Sequence, residues 1–69
     1  MSSLFKLVSI KMDVEDRNGL IAMASDFILD GYSYKFFTTY DYPIYAIEKY
    51  GEDELKKCWE FAFDDVCNL

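Results

Sequence analysis

The chain begins with a segment in which apolar and polar residues alternate. In Leu4–Val14 the alternating residues are Val8, Ile10, Met12 and Val14 against Ser9, Lys11 and Asp13. A period of two is typical of a strand that buries one face. We therefore predict a strand over Leu4–Val14.

The next segment changes to helical spacing. Its apolar residues recur at i, i+3, i+4, i+7 and i+8: Leu20, Met23, Ala24, Phe27 and Ile28. This spacing puts them on one face of a helix. Asp16 or Asn18 can accept a hydrogen bond from a free backbone N–H at its start. Gly31 suits the left-handed position that ends a helix, so we predict a helix over about Asn18–Asp30.

All six tyrosines of the chain lie in the segment Tyr32–Tyr50. A small fold cannot bury so many rings completely, so some must face solvent or a partner. Aromatic and β-branched residues fill Tyr32–Tyr40, which predicts a second strand there. Turn-forming Asp41 and Pro43 follow it.

Pro43–Tyr50 fits two structures. As a strand it pairs with Tyr32–Tyr40 in a hairpin; as a short helix it starts at Pro43 and ends at Gly51. We favour the strand, because it gives the sheet a third member.

The last segment predicts a second helix over Glu52–Val66. Its apolar face consists of Leu55, Cys58, Trp59, Ala62, Phe63 and Val66. The order is then β-α-β-β-α in a single domain, residues 1–69. We predict an α+β fold of two layers, with a three-stranded, mostly antiparallel sheet and both helices on one face. The other face of the sheet stays open.

The composition restricts both stability and chemistry. A 69-residue domain rarely gains more than ~3–5 kcal/mol of net stability without a disulfide, a metal or a second copy. Cys58 and Cys67 could pair only if the chain folds back after Val66, so we expect two reduced thiols, with Cys58 buried. There is no histidine, which removes the commonest general base and makes a zinc site improbable.

The net charge of −6 makes nucleic acid and anionic membranes poor partners and a basic protein surface a plausible one. Residues 1–12 carry Lys6 and Lys11 within their apolar run, unlike a signal peptide. No apolar run approaches the ~20 residues that span a bilayer. We expect a soluble, cytoplasmic protein.

No motif points to catalysis. Asp13, Glu15 and Asp16 could hold a divalent cation, but the calcium-loop pattern is not met, and a helix-capping turn is the simpler interpretation. There is no glycine-rich phosphate loop, serine motif or Cys-His pair. We therefore predict a protein that is not an enzyme and has no cofactor and no metal.

The acidic residues are placed where helices least favour them. Asp26, Asp30, Asp64 and Asp65 lie toward the C-terminal ends of the predicted helices, where the macrodipole disfavours negative charge. They could serve solubility, or they could form an acidic surface for a basic partner.

Tyrosines near the predicted hairpin turn are the best candidates for exposed binding residues, because tyrosine is enriched at interfaces. The predicted partner-binding residues are Tyr40, Tyr42, Tyr45, Glu52, Asp53, Glu60, Asp64 and Asp65.

Pro43, Ile44, Tyr45 and Ala46, followed by the acidic segment 52–62 with Trp59, carry a local resemblance. The chain resembles the small acidic proteins that phages make against host machinery. These include anti-CRISPR proteins, restriction inhibitors that mimic DNA, and the phage T7 type of inhibitor of host RNA polymerase. The resemblance implies a protein that occupies a surface on a larger nucleic-acid enzyme.

We therefore expect a phage-encoded, non-enzymatic inhibitor that blocks a host defence or nucleic-acid-handling complex through an acidic, tyrosine-rich surface. Its partner would be a basic surface of a host protein or protein–nucleic acid complex. The alternative is a homodimeric structural or assembly protein that uses the aromatic face of its sheet for self-association.

Overall fold

The computed structural model describes residues 12–68, which form four helices and no strand. The helices are α1 (Val14–Leu29), α2 (Tyr34–Phe37), α3 (Asp41–Tyr50) and α4 (Glu52–Cys67). The predicted α+β fold, with its three-stranded sheet and β-α-β-β-α order, is therefore wrong. Of the predicted strand Leu4–Val14, residues 4–11 lie outside the described part of the chain, and Val14 is helical.

Helix α1 starts four residues before the predicted Asn18, directly after Asp13, whose backbone is extended at φ −60° and ψ 147°. The end of α1 is as expected. Gly31 adopts φ 87°, its N–H donates to the carbonyl of Ile28, and the N–H of Tyr32 donates to the carbonyl of Phe27. This pair of bonds is the Schellman motif, which turns the chain back over the last turn of the helix.

The predicted strand Tyr32–Tyr40 is instead a single helical turn between two bends. The Ser33 hydroxyl accepts a hydrogen bond from the N–H of Phe36 at 3.2 Å and so caps α2. The hydroxyls of Thr38 and Thr39 donate to the carbonyls of Lys35 and Phe36 at 2.8 and 2.7 Å. These local bonds satisfy backbone groups that a strand would have offered to a neighbour.

Pro43–Tyr50 is helical, contrary to the strand that the sequence favoured. Pro43 is the third residue of α3, where its missing N–H deprives the helix of no internal bond. It is buried with Ala46, while Ile47 and Tyr50 pack against the core beside them. Gly51, at φ 99°, separates α3 from α4, as in the helical alternative, although the helix begins at Asp41 and not at Pro43.

The bounds of α4 agree closely with the prediction, and the helix packs chiefly against α1, but Phe63 of the predicted apolar face is exposed. The buried residues of residues 12–68 are Met12, Leu20, Ala24, Phe37, Ala46, Leu55, Cys58 and Ala62, with Pro43. Both predicted helix faces therefore contribute to the core, and Phe37 is the one fully buried aromatic ring in it. Both cysteines are free thiols, Cys58 buried and Cys67 exposed.

Within residues 12–68, the apolar stretch of each helix is too short to cross a membrane.

Candidate protein-binding surface

Four aromatic rings lie together where α1, α2 and α3 meet, and we call Phe27, Tyr32, Phe36 and Tyr40 the aromatic patch. The turn after α1 brings Tyr32 back over Phe27, with ring centroids 5.6 Å apart. The single turn of α2 then places Phe36 beside Tyr32 at 4.8 Å. Tyr40, at the start of α3, completes the set at 4.9 Å from Phe27 and 5.5 Å from Phe36.

Three of the four residues of this patch are exposed to solvent. Tyr32 is 50% exposed, Tyr40 42% and Phe36 39%, whereas Phe27 is partly buried. Neither tyrosine hydroxyl has a hydrogen-bond partner within the described residues. Contiguous exposed aromatic surface of this kind is typical of interaction sites rather than of the ordinary surface of a monomer.

The patch is anchored to the core through one ring. Phe27 meets the fully buried Phe37 edge to face, with centroids 5.4 Å apart and planes at 72°. Phe37 in turn contacts Trp59 of α4 at 5.0 Å. A patch held by this packing keeps its shape without a partner, which lowers the entropy lost on binding.

A second group of tyrosines lies on the other part of α3 and points at one carboxylate. Tyr42 donates to Asp16 Oδ1 at 2.8 Å, and Tyr45 and Tyr50 donate to Asp16 Oδ2 at 2.9 and 2.7 Å. We call these four residues the Asp16 cluster. It fastens the first turn of α1 to α3. Gly19 makes room for it, because a Cβ there would lie 3.0 Å from the Tyr42 hydroxyl.

The electrostatics of the Asp16 cluster keep its carboxylate ionised and the phenols of Tyr42 and Tyr50 protonated. Hydrogen bonds from Tyr50 and then Tyr42 lower the pKa of Asp16 below its ordinary 3.8. Burial, followed by the Asp16 bond, raises the pKa of Tyr42 to about 12, and the Asp16 bond is the main cause that raises the pKa of Tyr50. At neutral pH the Asp16 carboxylate is therefore matched as acceptor to the Tyr42 and Tyr50 donors, and the cluster holds the two helices together.

Lys49 contacts two tyrosines of this cluster. Its Nζ donates to the Tyr45 hydroxyl at 3.2 Å and lies 5.5 and 5.3 Å from the ring centroids of Tyr45 and Tyr50. The bond to Tyr45 is the main cause that raises the pKa of Lys49 to about 12. This lysine is therefore a cation throughout the physiological range and balances part of the local negative charge.

The acidic residues predicted on the last helix all lie on α4 and all are exposed. The spacing of Asp53, Glu60 and Asp64 puts them on the side of α4 that faces away from the core. Glu52 differs from them, because its Oε2 accepts a hydrogen bond from the Tyr34 hydroxyl at 3.3 Å. That contact, after burial, raises the pKa of Tyr34 to about 12.

The structure thus divides the predicted binding residues among three places. Tyr40 belongs to the aromatic patch, Tyr42 and Tyr45 belong to the Asp16 cluster, and the acids belong to α4. Sequence reasoning missed Phe27, Tyr32 and Phe36 as members of the aromatic patch. The Schellman glycine at position 31 and the capping serine at position 33 were the local signals that could have found the bends that gather them.

A groove of about 380 Å³ runs between α1 and α4 on another side. Its lining consists of Met12, Val14, Arg17, Ile21, Glu54, Lys57, Cys58 and Phe61. Burial raises the pKa of the Cys58 thiol, whose Sγ lies 3.7 Å from Met12 Sδ, so this cysteine is a poor nucleophile. No group of three or more Cys, Asp or Glu side chains within residues 12–68 is arranged to hold a metal ion.

Comparison with known proteins returned no matching family model, no matching curated protein and no matching solved structure.

Proposed function

We propose that this chain is a non-enzymatic binding protein that docks its aromatic patch against a larger partner. The observation that supports it is the exposure of three contacting rings, Tyr32, Phe36 and Tyr40, on a base fixed to the core through Phe27 and Phe37. Central aromatic residues commonly dominate the binding energy of protein interfaces. A patch that is ordered before binding is suited to this role.

The acidic residues add long-range selection to this proposal. The net charge of −6 and the exposed carboxylates of α4 would attract a basic surface and repel an acidic one. Charges at the rim of an interface chiefly raise the association rate, whereas desolvated rings at its centre slow dissociation. The two features therefore favour a partner whose binding site has an apolar or aromatic-binding centre with basic residues around it.

The biological form of this proposal is a phage-encoded inhibitor in the host cytosol. By occupying basic residues that otherwise hold phosphates, such a protein would block a host defence or nucleic-acid-handling complex. This part rests on the acidic composition and on the resemblance to phage inhibitors. The alternative is self-association; residues 12–68 contain no sheet to supply the aromatic face it was expected to use, and the aromatic patch is one exposed surface that could replace it.

A paired-variant capture experiment tests the proposal. Three baits are immobilised on a resin and incubated with bacterial lysate at low and moderate salt. They are the wild type, a Tyr32→Ser/Phe36→Ser variant of the patch and a Phe61→Ser/Phe63→Ser control variant. The control pair is similarly exposed, at 54% and 49%, but lies on α4 outside the patch. We expect a basic protein that is held by wild type and by the control, lost from the patch variant, and weakened by salt.

Two results would contradict the proposal. Retention of the same proteins by all three baits would show that the patch is not the binding surface. Recovery of the bait alone, as a dimer in wild type and a monomer in the patch variant, would assign the patch to self-association.

A further inference from the structure

The carboxylates around the aromatic patch indicate which partner side chain it takes. Asp26 directly precedes Phe27, Asp30 directly follows the last residue of α1, and Asp41 directly follows Tyr40. All three carboxylates are exposed. Their positions in the sequence put these carboxylates within about one helical turn of the rings.

Within residues 12–68, none of these three carboxylates forms a salt bridge. The salt bridge within residues 12–68 joins Lys57 to Glu54, at 3.4 Å on α4. Lys35 on α2 is the nearest cation in sequence to the patch, and it is exposed. Among the described residues, the patch therefore combines exposed ring surface with three neighbouring carboxylates against one neighbouring lysine, a combination that favours a cation.

The packing of the rings decides how a cation could bind. Neighbouring centroids are 4.8–6.0 Å apart, so the rings touch and leave no cage between them for a compact ammonium group. Tyr32 and Phe36 are inclined by 35°, and Tyr40 stands at 74° to Phe36. Tyr32 and Phe36 therefore form a platform on which a ligand stacks from the solvent side, and the ring of Tyr40 stands at the edge of that platform.

Arginine matches this platform better than lysine does. Its guanidinium group is planar and weakly hydrated, stacks on aromatic faces, and still presents N–H donors at its edge to carboxylates. Lysine carries a compact, strongly hydrated charge that gains less from a flat ring surface. Building on the proposed function, we propose that the aromatic patch binds arginine side chains in a basic segment of the partner, with the guanidinium over Tyr32 and Phe36 and the nearby carboxylates at its edge.

Two other occupants are disfavoured by the same observations. A second copy of the chain would bring its own acidic rim against this one, and both copies carry a net charge of −6. Single-stranded nucleic acid stacks bases on aromatic residues but needs a basic groove for its phosphates, and the acids here would repel them.

The test uses the full chain and defined probes. A short glycine-spaced arginine peptide, the same peptide with every arginine replaced by lysine, and oligothymidine are each titrated into the isotope-labelled protein and followed by NMR. We expect the arginine peptide to bind about two- to fivefold more tightly than the lysine peptide, with the largest shifts at Tyr32, Phe36 and Tyr40. Oligothymidine should cause no saturable shift.

Matched variants separate ring stacking from simple hydrophobic contact. Phe36→Leu keeps most of the apolar surface of the patch and removes one aromatic face, so the preference for arginine should shrink toward one. Phe63→Leu makes the same change at a 49% exposed site on α4 and should leave the preference unchanged. Thermal melting of both variants shows that each is folded during the titration.

Equal affinity for the two peptides, shifts that lie on α4 instead of the patch, or tighter binding of oligothymidine would each overturn the arginine assignment. The proposed function would survive that result if the Tyr32→Ser/Phe36→Ser variant still lost the captured partner. Loss of both the arginine preference and the patch-dependent capture would remove both proposals together.

Discussion

The aromatic patch and the Asp16 cluster draw on the same residue type for different purposes. In the Asp16 cluster three tyrosine hydroxyls donate to one carboxylate, and the rings serve as spacers that hold α3 against α1. In the aromatic patch the rings contact one another, and the hydroxyls of Tyr32 and Tyr40 have no partner among residues 12–68. The difference shows that a tyrosine-rich segment can contain a fastening and a free surface side by side. Hydrogen-bond partners distinguish them where exposure does not: Tyr40 of the patch is 42% exposed and Tyr45 of the cluster 40%.

The largest expected effect tests whether the patch depends on the core beneath it. Phe37 is fully buried and Phe36, its neighbour in the chain, is 39% exposed. Phe37→Ala should cost about 3–5 kcal/mol, which is comparable to the whole net stability of a domain this small. We expect this variant to be largely unfolded by circular dichroism, whereas Phe36→Ala should retain a cooperative melt. Similar melts for both would show that Phe37 does not anchor the patch.

The next effect tests the Asp16 cluster as a fastening. Asp16→Ala removes the acceptor of three hydrogen bonds and should lower the melting temperature by several degrees. Glu15→Ala, an exposed neighbour on the same helical turn, removes the same charge without those bonds and serves as the control. If the two variants melt alike, the bonds to Asp16 contribute nothing beyond charge.

Acid should weaken the Asp16 cluster and leave the packing of the patch unaffected. The pKa of Asp16 is lowered in the folded protein by its bonds to Tyr50 and Tyr42, from an ordinary value of 3.8. Its contribution to stability is therefore complete above pH 3.8 and is lost as the pH falls through the lower folded-state value. The difference in melting temperature between wild type and Asp16→Asn should be constant near neutrality and shrink below pH 3.8. A difference that persists at low pH would contradict this assignment.

The smallest effects come from removing single hydroxyls. Tyr32→Phe and Tyr40→Phe should change the free energy of unfolding by less than about 0.5 kcal/mol, because neither hydroxyl has a partner in the described structure. Tyr42→Phe and Tyr50→Phe should each lower the melting temperature measurably, because each removes a bond to the Asp16 carboxylate. Chemical denaturation of the four variants compares the two regions directly. Equal changes in the free energy of unfolding for all four variants would contradict the distinction between the aromatic patch and the Asp16 cluster.

The sequence predicted the two long helices because their apolar faces repeat over several turns. Leu20 and Ala24 in α1, and Leu55 and Ala62 in α4, are fully buried as that pattern requires. The end of α1 could also be predicted, because Gly31 adopts a φ of 87°, a backbone conformation that glycine reaches at little cost.

Tyr32–Tyr50 was predicted as two strands because tyrosine, phenylalanine and threonine have high strand propensity. That propensity reflects packing on a pleated surface and is overridden where local bonds offer the backbone another partner. Ser33 and the two threonines supplied such bonds. In α3, the burial of Pro43 and Ala46 follows a helical spacing that the preference for a hairpin obscured.

The candidate surface was predictable only in part. Tyr40 was expected to be exposed, and it is, but the other members of the patch come from α1, α2 and the bend between them. The proximity of these rings depends on the Schellman turn at Gly31. Residue propensities do not give the direction in which the chain leaves that turn. The Asp16 cluster was out of reach for the same reason, since its hydrogen bonds join residues 26 to 34 positions apart.

The single tryptophan gives this protein a built-in optical reporter. Trp59 contacts Phe37 at 5.0 Å and Tyr34 at 5.7 Å, and Phe37 touches the ring of Phe27 at the base of the patch. Its emission should therefore respond when a ligand presses on the patch, without any attached dye. Excitation of the six tyrosines would also lead to tryptophan emission through energy transfer to Trp59. One fluorescence measurement with tyrosine excitation can therefore follow unfolding, and a second with selective tryptophan excitation at longer wavelength can follow docking.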